Sequence, residues 1–220
     1  MKIAILGGTG REGAGLALRW GAAGEEVIIG SRDERRAVAA AKRLNLLLGR
    51  VAIHGMLNRQ AATEADVVVL TVPYAAHLTI LIEVKDALCG KLLIDTTVPL
   101  EPEALQRLVP AHKGSALEEA QECLGPSVKV VAAFQNIAFH LLKELEKAID
   151  CDVLVCGDDP HARHLAVLLV AKAGLRAIDA GPARHARTVE GLTPLLIGLK
   201  RRYKATDVGI RITGLPEREP

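Results

Sequence analysis

The opening residues, MKIAILGGTGREGAGLALRWGAAGEEVIIGSR, limit the fold more than any other stretch of the chain. Lys2–Leu6 is a short apolar run that ends in glycines, as a buried strand does. Arg11–Ala23 has helical spacing and stops at Gly24, and Val27–Ile29 is β-branched again. Strand, glycine turn, helix and second strand make a parallel pair with a right-handed crossover. Within the turn, Gly8, Gly10 and Gly13 match G-x-G-x-x-G. The first glycine makes the tight turn, the second lets backbone approach a pyrophosphate, and the third packs helix on strand. The helix start then offers unpaired N–H groups and a positive dipole end to phosphates. No Gly-Lys-Ser/Thr follows, so a triphosphate-cradling loop is not the reading.

The same alternation runs on. Asp33–Leu48 reads as a helix, Val51–Met56 as a strand, Val67–Val72 as a strand, Tyr74–Leu88 as a helix and Lys91–Ile94 as a strand. Glu101–Gly125 holds two prolines and a helical stretch from Ser115 to Leu124. Val128–Ala132 is the next strand and Asn136–Ala148 the next helix. Val153–Cys156, His161–Ala173 and Arg176–Asp179 repeat strand–helix–strand, with Asp158 or Asp159 as the helix cap and Gly174 as its stop. Ala183–Lys204 is helical but interrupted, with Thr193 capping a new helix and Pro194 in its first turn. Leu215–Pro220 reads as a frayed tail. The expected fold is α/β: a doubly wound, mostly parallel, Rossmann-type sheet with a small helical C-terminal part. Residues 1–150 would form the dinucleotide-binding domain, and 151–220 a smaller α/β part completing the cleft and a dimer contact.

In such a sheet, ligands sit at the carboxyl ends of the strands, near the switch in strand order. That directs attention to the loops Gly7–Gly13, Gly30–Arg36, Thr71–Tyr74, Asp95–Pro99 and Phe134–Ala138. Many dinucleotide sites place a carboxylate at the end of the second strand, where it bonds a free ribose 2′-hydroxyl. Here Gly30, Ser31 and Arg32 stand there instead. Ser31 has a hydroxyl to donate and Arg32 a planar fork for phosphate oxygens, with Arg35 and Arg36 one turn on. Asp33 and Glu34 only partly offset this basic turn. The position selects the cofactor by charge, and the choice is NADP over NAD.

Composition closes off several classes. Half of the 220 residues are apolar and only 2% are aromatic, so the core volume comes from Val, Ile, Leu and Ala, the mix of parallel strands under helices. A net charge of +2 without interleaved aromatics argues against a nucleic-acid binder. No apolar run approaches the ~20 residues of a membrane span, and no signal peptide is visible at the N-terminus. Cys89, Cys123, Cys151 and Cys156 form no CxxC and suit free thiols in a reducing compartment. A soluble, cytoplasmic protein is expected. His161 and His164 lie one helical turn apart beside Asp158 and Asp159 but lack a third ligand, so no metal site is assigned.

The glycine turn and its basic neighbour, taken with LTVPY at 70–74, VCGDD at 155–159, DAGP at 179–182 and VEGLTPL at 189–195, resemble the NADP-dependent coenzyme F420 oxidoreductases over nearly the full length. The resemblance implies hydride transfer between NADPH and the deazaflavin coenzyme F420. It implies that Thr9, Gly10, Arg11 and Glu12 bind the pyrophosphate, and that Ser31, Arg32 and Arg36 hold the 2′-phosphate. Thr71, Val72 and Pro73 would flank the nicotinamide ribose, and the loop at Ile137 and Ala138 would orient the carboxamide. Tyr74, Asn136, Thr193 and Pro194 are expected beside the second coenzyme, with Arg201 and Arg202 as a basic rim for its phosphate and glutamate tail. The loop AAFQNIAFH at 132–140 and the stretch Val98–Gly125 match the family only loosely.

No Tyr-x-x-x-Lys and no G-x-S-x-G is present, as suits a reaction carried by two stacked cofactor rings. Asp95, Thr96 and Thr97 follow a strand and either line the cleft or form a solvated turn. His77 and His140 are better read as structural than as groups beside the rings. Two other functions fit the same fold: an NADP-dependent reductase of a small carbonyl or imine compound, and a non-catalytic NADPH-binding redox sensor. The first needs a proton donor in the cleft, and the second tolerates a cleft with no room over the nicotinamide. Val189, Leu192, Leu195, Leu196 and Leu199 form an apolar stripe for which a homodimer contact is expected.

Overall fold

A computed structural model describes residues 1–215 of the chain; the expected tail beyond Leu215 lies outside the described residues. β1 (Lys2–Leu6) leads through the glycine turn into α1 (Arg11–Ala22), then β2 (Glu26–Ser31), α2 (Glu34–Leu48) and β3 (Ile53–Leu57). α3 (Asn58–Glu64) precedes β4 (Val67–Leu70), and α4 (His77–Val84), flanked by two short 3-10 turns, precedes β5 (Leu92–Asp95). β6 (Leu100–Glu101) and β7 (Ala104–Leu108) form a separate antiparallel hairpin, followed by α5 (Ala116–Leu124) and β8 (Lys129–Ala132). β9 (Asp152–Cys156), α6 (Pro160–Lys172), β10 (Arg176–Gly181) and α7 (Ala186–Tyr203) complete the chain.

The main sheet has eight strands in the order β10-β9-β8-β5-β4-β1-β2-β3. Every pair is parallel except β8–β9, which meet antiparallel through Ala132 and Cys156. The order reverses between β1 and β4, so the glycine turn after β1 and the Thr71–Tyr74 loop after β4 flank the crevice of a doubly wound sheet. Two apolar layers cover the faces. One packs α1, α2 and α6 around Ile3, Ile5, Val69 and Trp20, and the other packs α3, α4 and α5 around Ala4, Leu6, Val68 and Leu81.

Helix boundaries follow local chemistry. Asp33 caps α2 by accepting from the Arg35 and Arg36 N–H groups, and Gly49 ends it in the left-handed region at φ 66°. Asp159, one of the two acids expected to do so, caps α6 by accepting from Ala162 N–H. Ser115 caps α5.

Three expectations fail. The helix expected over Asn136–Ala148 is a loop with one 3-10 turn, Leu141–Lys143. Its carbonyls go elsewhere: the buried Arg19 guanidinium, from α1, donates to the carbonyls of Leu141, Leu142 and Glu144, and to Ala173 at the end of α6. The break expected at Thr193 and Pro194 is also missing, and α7 runs unbroken through both. Thr193 caps nothing; its hydroxyl donates to the Gln135 carbonyl at 2.7 Å. Pro194 has no N–H for the Glu190 carbonyl, but burial of Val189 and Glu190 before it and Leu196 after it holds both halves in one line. The strand expected over Val67–Val72 ends at Leu70, because Thr71 turns its hydroxyl back to the Leu6 carbonyl at 3.0 Å. α3 and the β6–β7 hairpin were not expected.

Candidate active site

The glycine turn is built by close approach. Gly7 takes φ +75°, where L side chains are strained. A Cβ on Gly13 would lie 2.6 Å from Thr71 Oγ1 and 2.7 Å from Gly8 Cα, so α1 can sit on the strand ends only with glycine there. At Gly10 a Cβ would meet nothing nearer than the Gly7 carbonyl at 3.2 Å, and the residue faces outward, exposed. The turn thus leaves bare backbone in front of the start of α1, which has no side-chain cap of its own. These are the features that fit a dinucleotide pyrophosphate. Thr9 and Glu12 are half-buried beside it and Arg11 is exposed, with its guanidinium 5.4 Å over the Phe139 ring.

Ser31 is buried at the tip of β2, and its oxygen accepts from Asp33 N–H at 3.2 Å, which leaves the hydroxyl proton to donate. Arg32, Arg35 and Arg36 are exposed, and none pairs with a carboxylate among the described residues. Asp33 is occupied by backbone N–H groups. The positive charge at this corner is therefore free for an anion.

Beside the turn opens a mostly apolar cleft of about 530 Å³. Its walls are the loop after β4 (Thr71–Tyr74), the loop after β5 (Thr96–Val98), the loop after β8 (Phe134–His140) and one face of α7. Phe134 enters the loop after β8 at φ 76°, a strained value for a side chain of this size, and is held there by full burial and an edge contact to Trp20 at 5.9 Å. A chain of hydrogen bonds stitches three walls together. Thr193 donates to the Gln135 carbonyl, and the Gln135 amide donates to the Asp95 carbonyl at 2.8 Å. Asp95 Oδ1 in turn accepts from Thr97 N–H at 2.9 Å.

Several buried polar atoms of these walls have no partner among the described residues: Thr97 Oγ1, Gln135 Oε1 and Asn136 Oδ1. Each amide nitrogen donates to a carbonyl, Gln135 Nε2 to that of Asp95 and Asn136 Nδ2 to that of Asp152 at 2.6 Å, which leaves the two amide oxygens as open acceptors. Glu12 lines the cleft, and burial pushes its carboxyl up to about 8, with the Thr96 hydrogen bond opposing and the Asp95 charge adding.

The cleft brings together Gly10, Arg11, Glu12, Thr71, Val72 and Pro73 with Tyr74, Asn136, Ile137, Ala138 and Thr193. Pro194 is buried within α7, while Arg201 and Arg202 are exposed in its last turn and do not line the cleft. Lys200, one position earlier, does. Phe139 and Leu105 were also missed, because they come from the misread loop and the unexpected hairpin; Ile197 of α7 and Val208 beyond it were missed as well. The two histidines are structural in different ways. His77 is fully buried behind the cleft with Nε2 2.6 Å from Asp95 Oδ2, and His140 bonds Asp207 at 2.7 Å on the cleft's edge.

Comparison with known proteins gives one consistent result. Residues 2–99 match the family model described as "NADP oxidoreductase coenzyme F420-dependent". The F420-dependent NADP reductase of Methanothermobacter thermautotrophicus is 45% identical over 226 residues, 100% of this chain and 97% of that one. Its counterpart in Methanocaldococcus jannaschii is 44% identical over 98% of this chain and 99% of its own. A crystal structure from Arthrobacter sp. FB24, of a protein with a provisional F420-dependent NADP-reductase name, superposes with a TM-score of 0.82 at 29% identity, covering 97% of this chain and 100% of that one. With the glycine turn, the basic corner of β2 and the cleft between them in place, the chain belongs to the coenzyme F420-dependent NADP oxidoreductase family.

Proposed function

We propose that the protein transfers a hydride directly, ring to ring, between NADP(H) and coenzyme F420. The observation that carries this is the open, mostly apolar cleft adjoining the glycine turn, on a chain whose full-length relatives are F420-dependent NADP reductases. A cleft with that much room also argues against a sensor that only binds NADPH. In this reading the nicotinamide and the deazaflavin supply the redox chemistry. The chain's task is to hold two rings face to face and exclude water, so proximity is the main catalytic device and no side chain breaks a bond.

The roles divide along the sheet. Gly8, Gly10, Gly13 and the first turn of α1 with Thr9, Arg11 and Glu12 take the pyrophosphate, and Ser31, Arg32 and Arg36 the 2′-phosphate. Thr71, Val72 and Pro73 flank the nicotinamide ribose, and Ile137 and Ala138 orient the carboxamide. Tyr74, Asn136 and Thr193 border the second coenzyme, with Pro194 fixing α7 behind them and Arg201 and Arg202 drawing in its anionic tail. On this division, residues 1–150 bind the nucleotide and 151–220 complete the cleft. A homodimer through α7 is part of the proposal. Val189 and Leu196 are buried within the chain, but Leu195 stays 55% exposed on α7, and α7 packs on β7, where Leu105 and Leu108 are also exposed. A cytoplasmic setting agrees with four free cysteines and with the lack of any helix long and apolar enough to cross a membrane among the described residues.

One observation favours a second reading. Glu12 is a carboxyl inside the cleft whose hold on its proton is raised by burial, the kind of donor that a carbonyl or imine reductase needs. Steady oxidation of NADPH by the purified protein with coenzyme F420, and little with NADH, is the expected result. Turnover only with a cyclic imine or a ketone, and none with the deazaflavin, would replace the first reading by the second.

A further inference from the structure

Behind the cleft wall lies a group of ionisable side chains that the proposed transfer does not use. Glu119 of α5 is 4% exposed, Asp95 is 1% exposed, His77 is 0% exposed and Glu190 of α7 is 2% exposed. Three carboxyls buried around one imidazole are costly to keep out of water, and stability alone does not account for them. His77 and Asp95 satisfy each other at 2.6 Å, and Glu190 accepts from the N–H groups of Ala116 and Leu117. Glu119 differs, because it bonds a residue that lines the cleft. Both its oxygens lie 2.9 Å from the Tyr74 hydroxyl, and Oε1 also accepts from His112 N–H at 2.6 Å.

The polarity of that contact matters. A carboxylate accepts only, so the phenol proton of Tyr74 points at Glu119 and its remaining lone pair is left for the cleft. Tyr74 follows Pro73 directly, lines the cleft, and stacks at 6.1 Å on the His77 ring, which fixes its plane. Thr97 Oγ1, buried without a partner, lies on the adjoining wall. Resting on the reading of the cleft given above, we infer that Glu119 is a positioning residue that locks Tyr74 as a one-way hydrogen-bond acceptor, and that Tyr74 thereby selects a donor group, a ring N–H or a side-chain hydroxyl, on the second coenzyme.

Two substitutions test it in opposite ways. Tyr74→Phe removes the acceptor. Glu119→Gln keeps the shape but gives the tyrosine oxygen an N–H to accept from, which frees the phenol proton to turn into the cleft and reverses the contact. Each is expected to raise the Michaelis constant for coenzyme F420 about three- to ten-fold, the scale of one hydrogen bond. Glu119→Gln should do at least as much harm as Tyr74→Phe, with the constant for NADPH unmoved and the turnover number at saturation within about two-fold. A deazaflavin methylated at its ring N–H separates the two sources. If the ring is the donor, the analogue costs nothing further in Tyr74→Phe; if a hydroxyl is, the two losses add. Unchanged affinity for the coenzyme in both variants, or equal losses for both coenzymes, would overturn the assignment while leaving the hydride-transfer reading in place. A wild-type protein that fails to bind coenzyme F420 would overturn both.

Discussion

On the proposed reading, cofactor choice falls to one corner of the sheet. Ser31 and Arg32 stand at the tip of β2, where a carboxylate would repel a 2′-phosphate, and of the two acids that follow, Asp33 spends its oxygen on capping α2. Arg32→Ala should therefore weaken NADP binding by about 1.5–3 kcal/mol, the scale of a hydrogen bond to a charged group, and leave NAD binding nearly unchanged. Titration of both dinucleotides checks this, and an equal loss for the two would remove Arg32 from the phosphate site. The placement of these residues at the tip of β2 was legible in the sequence because they are contiguous and do not depend on distant packing. Glu119 and Glu190 were not legible. Nothing local marks them, and only the packing of α5 against α4 and α7 buries them.

Elements followed their local signals wherever backbone partners lay within the element. The β1–α1–β2 unit, α2, α6 and the strands of the main sheet fall where periodicity and caps place them, to within a residue or two. Prediction failed where a distant group outbid the local pattern. Residues 136–148 have helical composition, but Arg19 takes the carbonyls of Leu141, Leu142 and Glu144 from across the interface with α1. Gly15 permits that approach, since a Cβ there would lie 2.5 Å from Leu142 Cβ. The Thr193–Pro194 signal was a real capping pattern overridden by burial on both sides. Arg19 is thus the pin between the phosphate-binding helix and the loop that carries Ile137 and Ala138. Arg19→Met, which keeps the bulk and loses the donors, should destabilise the protein by about 3 kcal/mol through unsatisfied carbonyls. It should also weaken NADP binding although Arg19 itself lies outside the cleft. Denaturant unfolding and NADP titration measure the two effects; unchanged values for both would show that water replaces the guanidinium without loss.

At the scale of the whole molecule, the net charge of +2 hides a buried excess of acid, and that excess sets how stability responds to pH. Burial raises the carboxyls of Glu12 and Glu190 from 4.5 to about 8; the backbone N–H bonds of Ala116 and Leu117 oppose this at Glu190, and Asp95 adds to it at both. In the unfolded chain both groups give up their protons near the ordinary carboxyl range. Between the two values the native state holds more protons than the unfolded state, so stability falls as pH rises across that window and levels off above it. His77 acts in the same direction. Burial alone would lower it, but the Asp95 charge and hydrogen bond carry it upward, so its favourable contribution is complete in mild acid and lost as pH climbs through its raised value. The opposing groups act on the acid side: Glu25, paired with Lys172 and the N-terminus, and Asp159 and Asp207 are all held low, and their contributions disappear only as pH falls through the carboxylate range. The free protein should therefore be most stable somewhat below neutrality, with a melting temperature that declines from about pH 6 to about pH 9. Glu12→Gln, a neutral group of the same shape, should flatten part of that decline and raise the melting temperature at the alkaline end. Thermal unfolding of the ligand-free protein across the range is the measurement. A melting temperature that stays level or rises over this interval would mean that Glu12 and Glu190 ionise freely in the native state, and that the cleft carries a carboxylate rather than a neutral acid.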